Sequence, residues 1–194
     1  MAEIRSLCVL CGSREGADSA YRKAAKDLGA LIARRRTRLI YGGGAIGLMG
    51  VLANSVLSRG GAVVGVIPDF LMKWEVGHAA LSDLVITRTM HDRKTRMFDM
   101  ADGFVVPPGG LGTLDATFEI ITWKQLRLHD KPIVVLDVGG YWGALVALIN
   151  HVVSSGFASP AVTGLFTVVD SPEKVFPALE VAPAAETGAL TGNL

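Results

Sequence analysis

Residues 103–113 read Gly-Phe-Val-Val-Pro-Pro-Gly-Gly-Leu-Gly-Thr, and this stretch decides the fold. The apolar run 103–106 lacks polar alternation, which is typical of a strand buried on both faces of a parallel sheet. Proline and glycine then end the strand, and a helical pattern follows over residues 113–128. The stretch therefore predicts one strand, turn and helix unit of an α/β protein.

The same unit recurs along the rest of the chain. Further strands are predicted at residues 4–10, 38–41, 62–67, 83–86, 132–137 and 165–169. Helices are predicted at residues 19–34, 92–101 and 141–153, with another helical stretch that ends near residue 58. Apolar strands that alternate with helices indicate a doubly wound α/β fold, in which helices cover both faces of a parallel sheet.

Length and composition predict a single domain. The chain has 194 residues, of which 50% are hydrophobic and 19% are charged, so a sizeable core can form. We assign residues 1–180 to this domain. Residues 181–194 are rich in Ala, Gly, Thr and Pro and have little to bury, so we expect a mobile tail there.

Charge, hydropathy and cysteine content exclude several function classes. The 19 Lys and Arg residues nearly balance 18 Asp and Glu, so we expect neither a nucleic-acid partner nor a membrane partner. The mean hydropathy is +0.41, but every apolar run ends well before the about 18 residues that would span a bilayer. The amino terminus lacks a secretory pattern and two cysteines make no disulfide framework, which together predict a cytoplasmic protein.

The turn at residues 108–113 is a candidate phosphate site. Gly109, Gly110 and Gly112 leave backbone N–H groups unshielded, the following helix adds a partial positive charge, and Thr113 supplies a hydroxyl. The turn lacks the Lys of a Walker loop, so ATPase chemistry is not indicated. The alternative is a tight structural turn.

A second glycine turn, residues 42–47, fits the pattern G-x-G-x-x-G. This pattern occurs in dinucleotide-binding proteins, but there the turn follows the first strand and an acid ends the next one. Here the turn follows the second predicted strand, and Asp69 comes only after Pro68. We therefore favour a turn that packs tightly and lines a mononucleotide site.

Residues 90–96 concentrate three cations just before the strand that leads to the phosphate turn. Arg93 and Lys94 could clamp a phosphate or a ribose oxygen. The alternative is a solvated helix face.

Other conspicuous residues predict no metal or redox site. Cys8 and Cys11 form a C-x-x-C pattern, but they lie along a strand, where positions three apart face opposite ways. The four histidines show neither metal-ligand spacing nor a nucleophile partner. Trp123 lies among apolar residues, which favours packing over base stacking.

Several spaced motifs resemble one known family from about residue 6 to residue 179. They are Cys11-Gly12-Ser13, Tyr41-Gly42-Gly43-Gly44, Gly47-Leu48-Met49-Gly50, Arg93-Lys94, Ile121-Thr122-Trp123 and the phosphate turn itself. In these motifs the chain is similar to the Lonely Guy family of cytokinin-activating phosphoribohydrolases, which are often mislabelled as lysine decarboxylases. Lysine decarboxylation itself is disfavoured, because nothing in the sequence indicates a pyridoxal phosphate site.

The resemblance implies a Rossmann-like homodimer. It also implies cofactor-free hydrolysis of the N-glycosidic bond of AMP or of N6-prenylated cytokinin nucleotides, which releases the base and ribose 5-phosphate. Arg93 would be the catalytic or substrate-orienting cation. The implied substrate-binding residues are Glu75, Lys94, Gly109, Gly110, Leu111, Gly112, Thr113, Leu114, Asp115 and Thr122. Further pocket candidates are Ser13, Gly43, Gly44, Met90 and Glu119.

The chain departs from the family pattern at one position that the resemblance makes catalytic. The pattern runs from the Gly-Thr pair through two variable residues to a Glu, and here that position holds Ala116. Because a methyl group can neither stabilise a cationic sugar nor handle a proton, we expect slow catalysis. A non-catalytic nucleotide-binding or carrier protein is the alternative function. Another explanation is that Ala116 is an engineered substitution made to trap a substrate or product. Comparison with the encoding gene would settle this.

Overall fold

The computed structural model describes residues 3–72, 81 and 83–181. Its strands are β1 (Ser6–Val9), β2 (Arg38–Tyr41), β3 (Val63–Pro68), β4 (Asp83–Thr87), β5 (Gly103–Val106), β6 (Ile133–Leu136) and β7 (Thr167–Val169). Its α-helices are α1 (Ser19–Arg34), α2 (Gly47–Leu57), α3 (Met90–Met100), α4 (Leu111–Gln125), α5 (Gly143–Ser154) and α6 (Val175–Val181). Short 3₁₀ turns lie in the connections before α5, β7 and α6.

The described strands form one parallel sheet in the order β4-β3-β2-β1-β5-β6-β7. The chain begins in the middle of the sheet, fills one half as far as β4, and then crosses to β5 on the other side of β1. Leu7 of β1 lies in register with Gly103 of β5. The strand order reverses between these two strands, and doubly wound sheets bind ligands beyond the carboxyl ends of the strands at such a switch point.

Helices cover both faces of the sheet, which confirms the predicted doubly wound fold. Leu7 and Val9 of β1 face a core that includes residues of α1, α2 and α6. Cys8 and Leu10 face the opposite core, which includes residues of α3, α4 and α5. Successive side chains of a strand point to opposite faces, so one buried strand supplies both cores.

Helix α4 begins at Leu111, two residues before its predicted start. Gly110 has an extended backbone, and its carbonyl accepts the N–H groups of Thr113 and Leu114, each at 3.0 Å. The helix ends at Gln125 rather than at residue 128, and Arg127 has a left-handed φ of 59° that an α-helix cannot continue through. The helix therefore starts inside the glycine turn, which brings its N-terminus to the switch point.

The carboxyl-terminal helix α6 has no counterpart among the predicted elements. Phe176 and Leu179 bury it against the sheet, and it ends at Val181. The first residue assigned to the expected tail is therefore helical. The remainder of that tail, residues 182–194, lies outside the described residues.

The helices in the described ranges are short. The longest, α1, has 16 residues, fewer than the about 20 that a bilayer requires. Within those ranges, none is both long enough and apolar enough to cross a membrane.

Candidate active site

A cavity of about 200 Å³ opens at the carboxyl ends of β1, β2 and β5, where the topology places a ligand. Its walls come from the loops that follow these strands and from residues of α2, α3 and α4. The cavity unites ten of the predicted site residues. They are Ser13, Met90, Arg93, Lys94, Gly110, Leu111, Gly112, Thr113, Asp115 and Ala116.

The N-terminus of α4 presents backbone donors to this cavity. No side chain caps the helix, and within the described chain no acceptor takes the N–H groups of Gly110, Leu111 or Gly112. The helix dipole adds about half a positive charge at this end. Free donors and positive charge together suit a phosphate.

Two glycines let the loops after β1 and β5 touch. The N–H of Gly12 donates to the carbonyl of Pro108 at 3.1 Å. A Cβ on Gly109 would collide with the side chain of Thr113 and with the backbone of Gly12, but a Cβ on Gly110 or Gly112 would meet nothing within 4 Å. Gly109 is thus required by packing, whereas Gly110 and Gly112 face open space that a ligand can enter.

The second glycine turn borders the cavity only at its beginning. Gly42 lines the cavity. Gly43, with φ of 77°, packs against Ile67, and Gly47, with φ of 62°, packs against the backbone of Ser13. The glycines after Gly42 therefore serve mainly to fit the turn against β3 and the loop after β1.

Arg93 is buried at the floor of the cavity, with 9% of its surface exposed. Its Nε donates to the carbonyl of Val66 at 2.9 Å, and its Nη2 donates to the carbonyl of Gly42 at 2.5 Å. Both carbonyls lie at or near the carboxyl ends of strands. This arrangement holds the planar guanidinium in one orientation beside the phosphate turn.

Lys94 is paired with two carboxylates of α4. Its Nζ lies 2.9 Å from Asp115 Oδ2 and 2.7 Å from Glu119 Oε2. Burial disfavours the charged ammonium, but the hydrogen bonds to Glu119 and Asp115 outweigh it and raise the pKa of Lys94. Lys94 therefore stays charged at neutral pH and joins α3 to α4 across the cavity.

Ala116 lies in the first turns of α4, and its methyl group lines the cavity. Among the described residues, the carboxylate that lines the cavity is that of Asp115, which is 62% exposed and paired with Lys94. A helix advances about 100° per residue, so Asp115 leaves the α4 axis in another direction from Ala116.

The other predicted site residues that the structure describes do not line this cavity. Gly109 lines a neighbouring cavity on the far side of the phosphate turn. Leu114 packs against the core, Thr122 is exposed farther along α4, Gly43 is buried beside β3, and Gly44 is also buried. Glu119 reaches the site through Lys94, and Glu75 lies outside the described residues.

Sequence reasoning missed several residues of the site. Gly42 and Met49 line the cavity, but the sequence indicated only that they belong to family motifs and did not place them in the site. Met97 lines the cavity from α3. Tyr141 contacts the phosphate turn through its hydroxyl, which donates to the carbonyl of Gly109 at 2.5 Å. The position of Gly42 directly after a predicted strand was a usable signal, whereas nothing local distinguishes Tyr141.

The two cysteines and Trp123 take part in packing. Cys8 and Cys11 lie in the cores on opposite faces of the sheet, and both are free thiols. Burial raises the pKa of Cys11 to about 12 and raises that of Cys8 above its usual range. Trp123 packs edge-to-face on Phe98 with ring centroids 5.2 Å apart. No group of three or more His, Cys, Asp or Glu side chains in residues 3–72, 81 and 83–181 could hold a metal ion.

The overall shape is similar to that of solved cofactor-binding proteins. The molybdenum cofactor binding protein of Rippkaea orientalis matches with a TM-score of 0.69 and 20% identity, over 90% of this chain and 94% of that one. The molybdenum cofactor carrier protein of Chlamydomonas reinhardtii gives a TM-score of 0.69 at 19% identity, over 90% and 95%. At such low identity these similarities show a shared fold.

Sequence comparison identifies closer relatives. The family model described as possible lysine decarboxylase matches residues 49–179. A cytokinin riboside 5'-monophosphate phosphoribohydrolase of Arabidopsis thaliana is 39% identical over 95% of this chain and 86% of its own length. The enzyme of that name from Rhodococcoides fascians is 43% identical over 81% of this chain and 80% of its own length. The chain therefore belongs to the family of possible lysine decarboxylases that includes the cytokinin riboside 5'-monophosphate phosphoribohydrolases.

Proposed function

We propose that this chain has the scaffold of a phosphoribohydrolase that cleaves the N-glycosidic bond of AMP or of N6-prenylated AMP. The products are the free base and ribose 5-phosphate, and no cofactor takes part. One observation carries the proposal: the uncapped N-terminus of α4 and the fixed guanidinium of Arg93 border the same cavity at the switch point. Membership of the phosphoribohydrolase family supports it.

Each group has a role that its chemistry allows. The N–H groups of Gly110, Leu111 and Gly112 hold the 5'-phosphate, and the hydroxyl of Thr113 adds a donor. Arg93 and Lys94 orient the nucleotide beside this anchor. Holding the phosphate fixes the ribose relative to the catalytic groups, which lowers the entropic part of the barrier.

Ala116 removes the carboxylate that this reaction needs. Departure of the base develops positive charge on the ribose, and a carboxylate stabilises that charge while it positions or deprotonates water. Loss of such a group costs about 10² to 10⁴ in rate. At about 1.36 kcal/mol per tenfold, this corresponds to roughly 3 to 5 kcal/mol of activation free energy.

The neighbouring acids do not replace that carboxylate. Asp115 and Glu119 both bind the ammonium of Lys94. Glu119 is three residues farther along α4, which displaces it by about 4.5 Å along the helix axis. Catalysis tolerates little misplacement, so this chain is much slower than a relative with Glu at position 116.

Restoring the carboxylate tests the proposal. The chain, its Ala116→Glu form and its Ala116→Gln form are each incubated with AMP and with N6-prenylated AMP, and free base is measured by chromatography. We expect the Glu form to release base about 10² to 10⁴ times faster than the chain, and the Gln form to resemble the chain. The faster substrate identifies the preferred base. Equal rates for the Glu and Gln forms would contradict the proposal.

A non-catalytic nucleotide-binding or carrier protein is the second candidate, and Ala116 is the observation that favours it. This function keeps the phosphate turn and needs no acid at position 116. It predicts that all three forms bind AMP with similar affinity and that none releases base.

We also propose that the chain forms a homodimer through the outer face of α4. Leu111, which also lines the cavity, and Phe118 are exposed on this helix by 84% and 38%, and Leu126, directly after its end, is exposed by 52%. Their spacing places them along one side of the helix, where a self-complementary contact can bury them.

Gel filtration tests the dimer. We expect the parent chain to elute as a dimer and the Phe118→Lys form to elute as a monomer. The matched control Phe157→Lys alters a Phe that is 87% exposed after α5 and should leave the dimer intact. A monomeric parent chain at micromolar concentration would refute the dimer.

A further inference from the structure

The segment between β6 and α5 contacts the phosphate turn on the side of the neighbouring cavity. The hydroxyl of Tyr141 donates to the carbonyl of Gly109 at 2.5 Å. The indole Nε1 of Trp142 donates to the carbonyl of Val106, at the end of β5, at 3.1 Å. Two consecutive aromatic residues thus contact the end of β5 and the phosphate turn that follows it.

The hydrogen bond from Tyr141 also determines the direction of a phosphate donor. The carbonyl of Gly109 and the N–H of Gly110 belong to one planar peptide unit, in which C=O and N–H point in opposite directions. Gly109 and Tyr141 line the neighbouring cavity, Gly112 and Thr113 line the candidate active site, and Gly110 lies between them and borders both. A carbonyl held towards Tyr141 therefore leaves the N–H of Gly110 pointing towards the active site.

Gly109 packs against Gly12 and Thr113, but among the described residues the Tyr141 hydroxyl is the one hydrogen-bond partner of the peptide group between Gly109 and Gly110. A Cβ placed on Gly110 would meet no atom within 4 Å, and glycine itself adopts many backbone conformations. Without the hydroxyl, the peptide could rotate and turn its carbonyl oxygen towards the phosphate. A carbonyl oxygen repels a phosphate, so this rotation would weaken binding as well as remove a donor.

The tyrosine ring is itself held in place. Its centroid lies 4.8 Å from that of Trp142 and 5.4 Å from that of Tyr21, in both cases edge-to-face. The backbone N–H of Trp142 donates to Asp137 Oδ1 at 2.6 Å, which fixes the segment to the end of β6. Removing the hydroxyl alone therefore leaves the ring in its place.

We propose that Tyr141 is a positioning residue for the phosphate site and aims the N–H of Gly110 at the 5'-phosphate without touching the substrate. This inference rests on the proposed function, because it takes a nucleotide phosphate as the ligand of the turn. Its consequence is selective: the hydroxyl contributes to the binding of a phosphorylated ligand and not to the binding of its nucleoside.

Calorimetric titration of Tyr141→Phe with AMP, inorganic phosphate and adenosine tests the proposal without any need for turnover. Because a hydrogen bond of this kind is worth about 0.5–1.5 kcal/mol, we expect about threefold to tenfold weaker binding of AMP and phosphate, with adenosine unchanged. Tyr21→Phe is the matched control, since it removes a hydroxyl from the adjoining ring, for which the described residues show no hydrogen bond. It should leave all three affinities unchanged.

Three results would overturn the inference. Tyr141→Phe could bind AMP as tightly as the parent chain, or it could lose affinity for AMP and adenosine by the same factor, which is the signature of a general structural defect. In both cases the proposed function stands if Ala116→Glu releases base. If the parent chain binds neither AMP nor phosphate, the proposed function and this inference fail together.

Discussion

The guanidinium of Arg93 lies directly against the backbone of Gly42, 51 positions earlier in the chain, and donates to its carbonyl at 2.5 Å. A Cβ at position 42 would overlap the same guanidinium and would also crowd the sulfur of Met49. The absence of a side chain at Gly42 is therefore a condition for the observed orientation of Arg93.

Gly42→Ala should displace Arg93 and weaken nucleotide binding. Misaligning a charge-assisted contact costs about 1.5–3 kcal/mol, so we expect about tenfold to hundredfold weaker binding of AMP by calorimetry. Gly143→Ala is the control, because a Cβ there meets nothing within 4 Å. Circular dichroism checks that both variants fold. Unchanged AMP affinity in a folded Gly42→Ala protein would show that Arg93 does not orient the ligand.

Two glycines of the phosphate turn should respond in opposite ways to alanine. Gly112 lies in the first turn of α4, where alanine favours the helix by roughly 0.5–1 kcal/mol, and the added methyl group meets no protein atom. We expect Gly112→Ala to unfold at a higher denaturant concentration and yet to bind AMP more weakly, since the methyl group occupies the ligand space. Gly109→Ala should instead lower stability, because its methyl group collides with Thr113 and Gly12. The opposite order of the two unfolding midpoints would contradict this packing.

Stability should fall as the pH decreases from 7.5 to 5, because of His129. Its Nε2 donates to the carbonyl of Ile120 at 2.9 Å, and its Nδ1 accepts the N–H of Lys131 at 3.1 Å, which is the pattern of a neutral ring. Burial lowers the pKa of His129 below its ordinary 6.5, and the nearby Lys124 and Lys131 also lower it, against the effect of the Ile120 hydrogen bond.

The sign of this effect follows from proton linkage. Between pH 6.5 and the folded-state pKa, His129 binds a proton in the unfolded chain but stays neutral in the folded chain. The free energy of unfolding therefore decreases as the pH falls through this range. Urea unfolding of the parent chain and of His129→Gln at several pH values measures it. We expect the variant to be less stable at pH 7.5 and to show a weaker pH dependence. If the free energies of unfolding of the parent chain and of His129→Gln change with pH in parallel, groups other than His129 cause the pH dependence.

Both cysteines should be unreactive in the folded protein. A pKa of about 12 for Cys11, against 9.0 for a free thiol, reduces its thiolate fraction at pH 8 by about a thousandfold. A colorimetric thiol reagent at pH 8 should therefore react slowly with the native protein. After denaturation it should react rapidly with both thiols. Rapid native reaction of either thiol would contradict the buried placement of the C-x-x-C pattern.

The sequence alone determined the strands, most of the helices and the phosphate turn. Short apolar runs, glycine turns and helical periodicity are local properties, so residues 108–113 could be assigned to a strand-to-helix turn without knowledge of the partner strands. Strand alternation also predicted opposite faces for Cys8 and Cys11, and they lie in opposite cores although β1 ends at Val9. The adjacent cations Arg93 and Lys94 could be noted in the same way, but their partners could not.

The tertiary structure decided which of these local features meet. The strand order brings the carboxyl ends of β2 and β5 to either side of β1, so Gly42, Arg93 and Gly110 border one cavity although they are far apart in sequence. It also decided that Lys94 binds Asp115 and Glu119, and that Tyr141 reaches the carbonyl of Gly109. These contacts depend on the pairing of distant strands and on the direction of individual side chains. Neither leaves a periodic signal in the sequence, because hydrophobic pattern reports burial and not the identity of the neighbour.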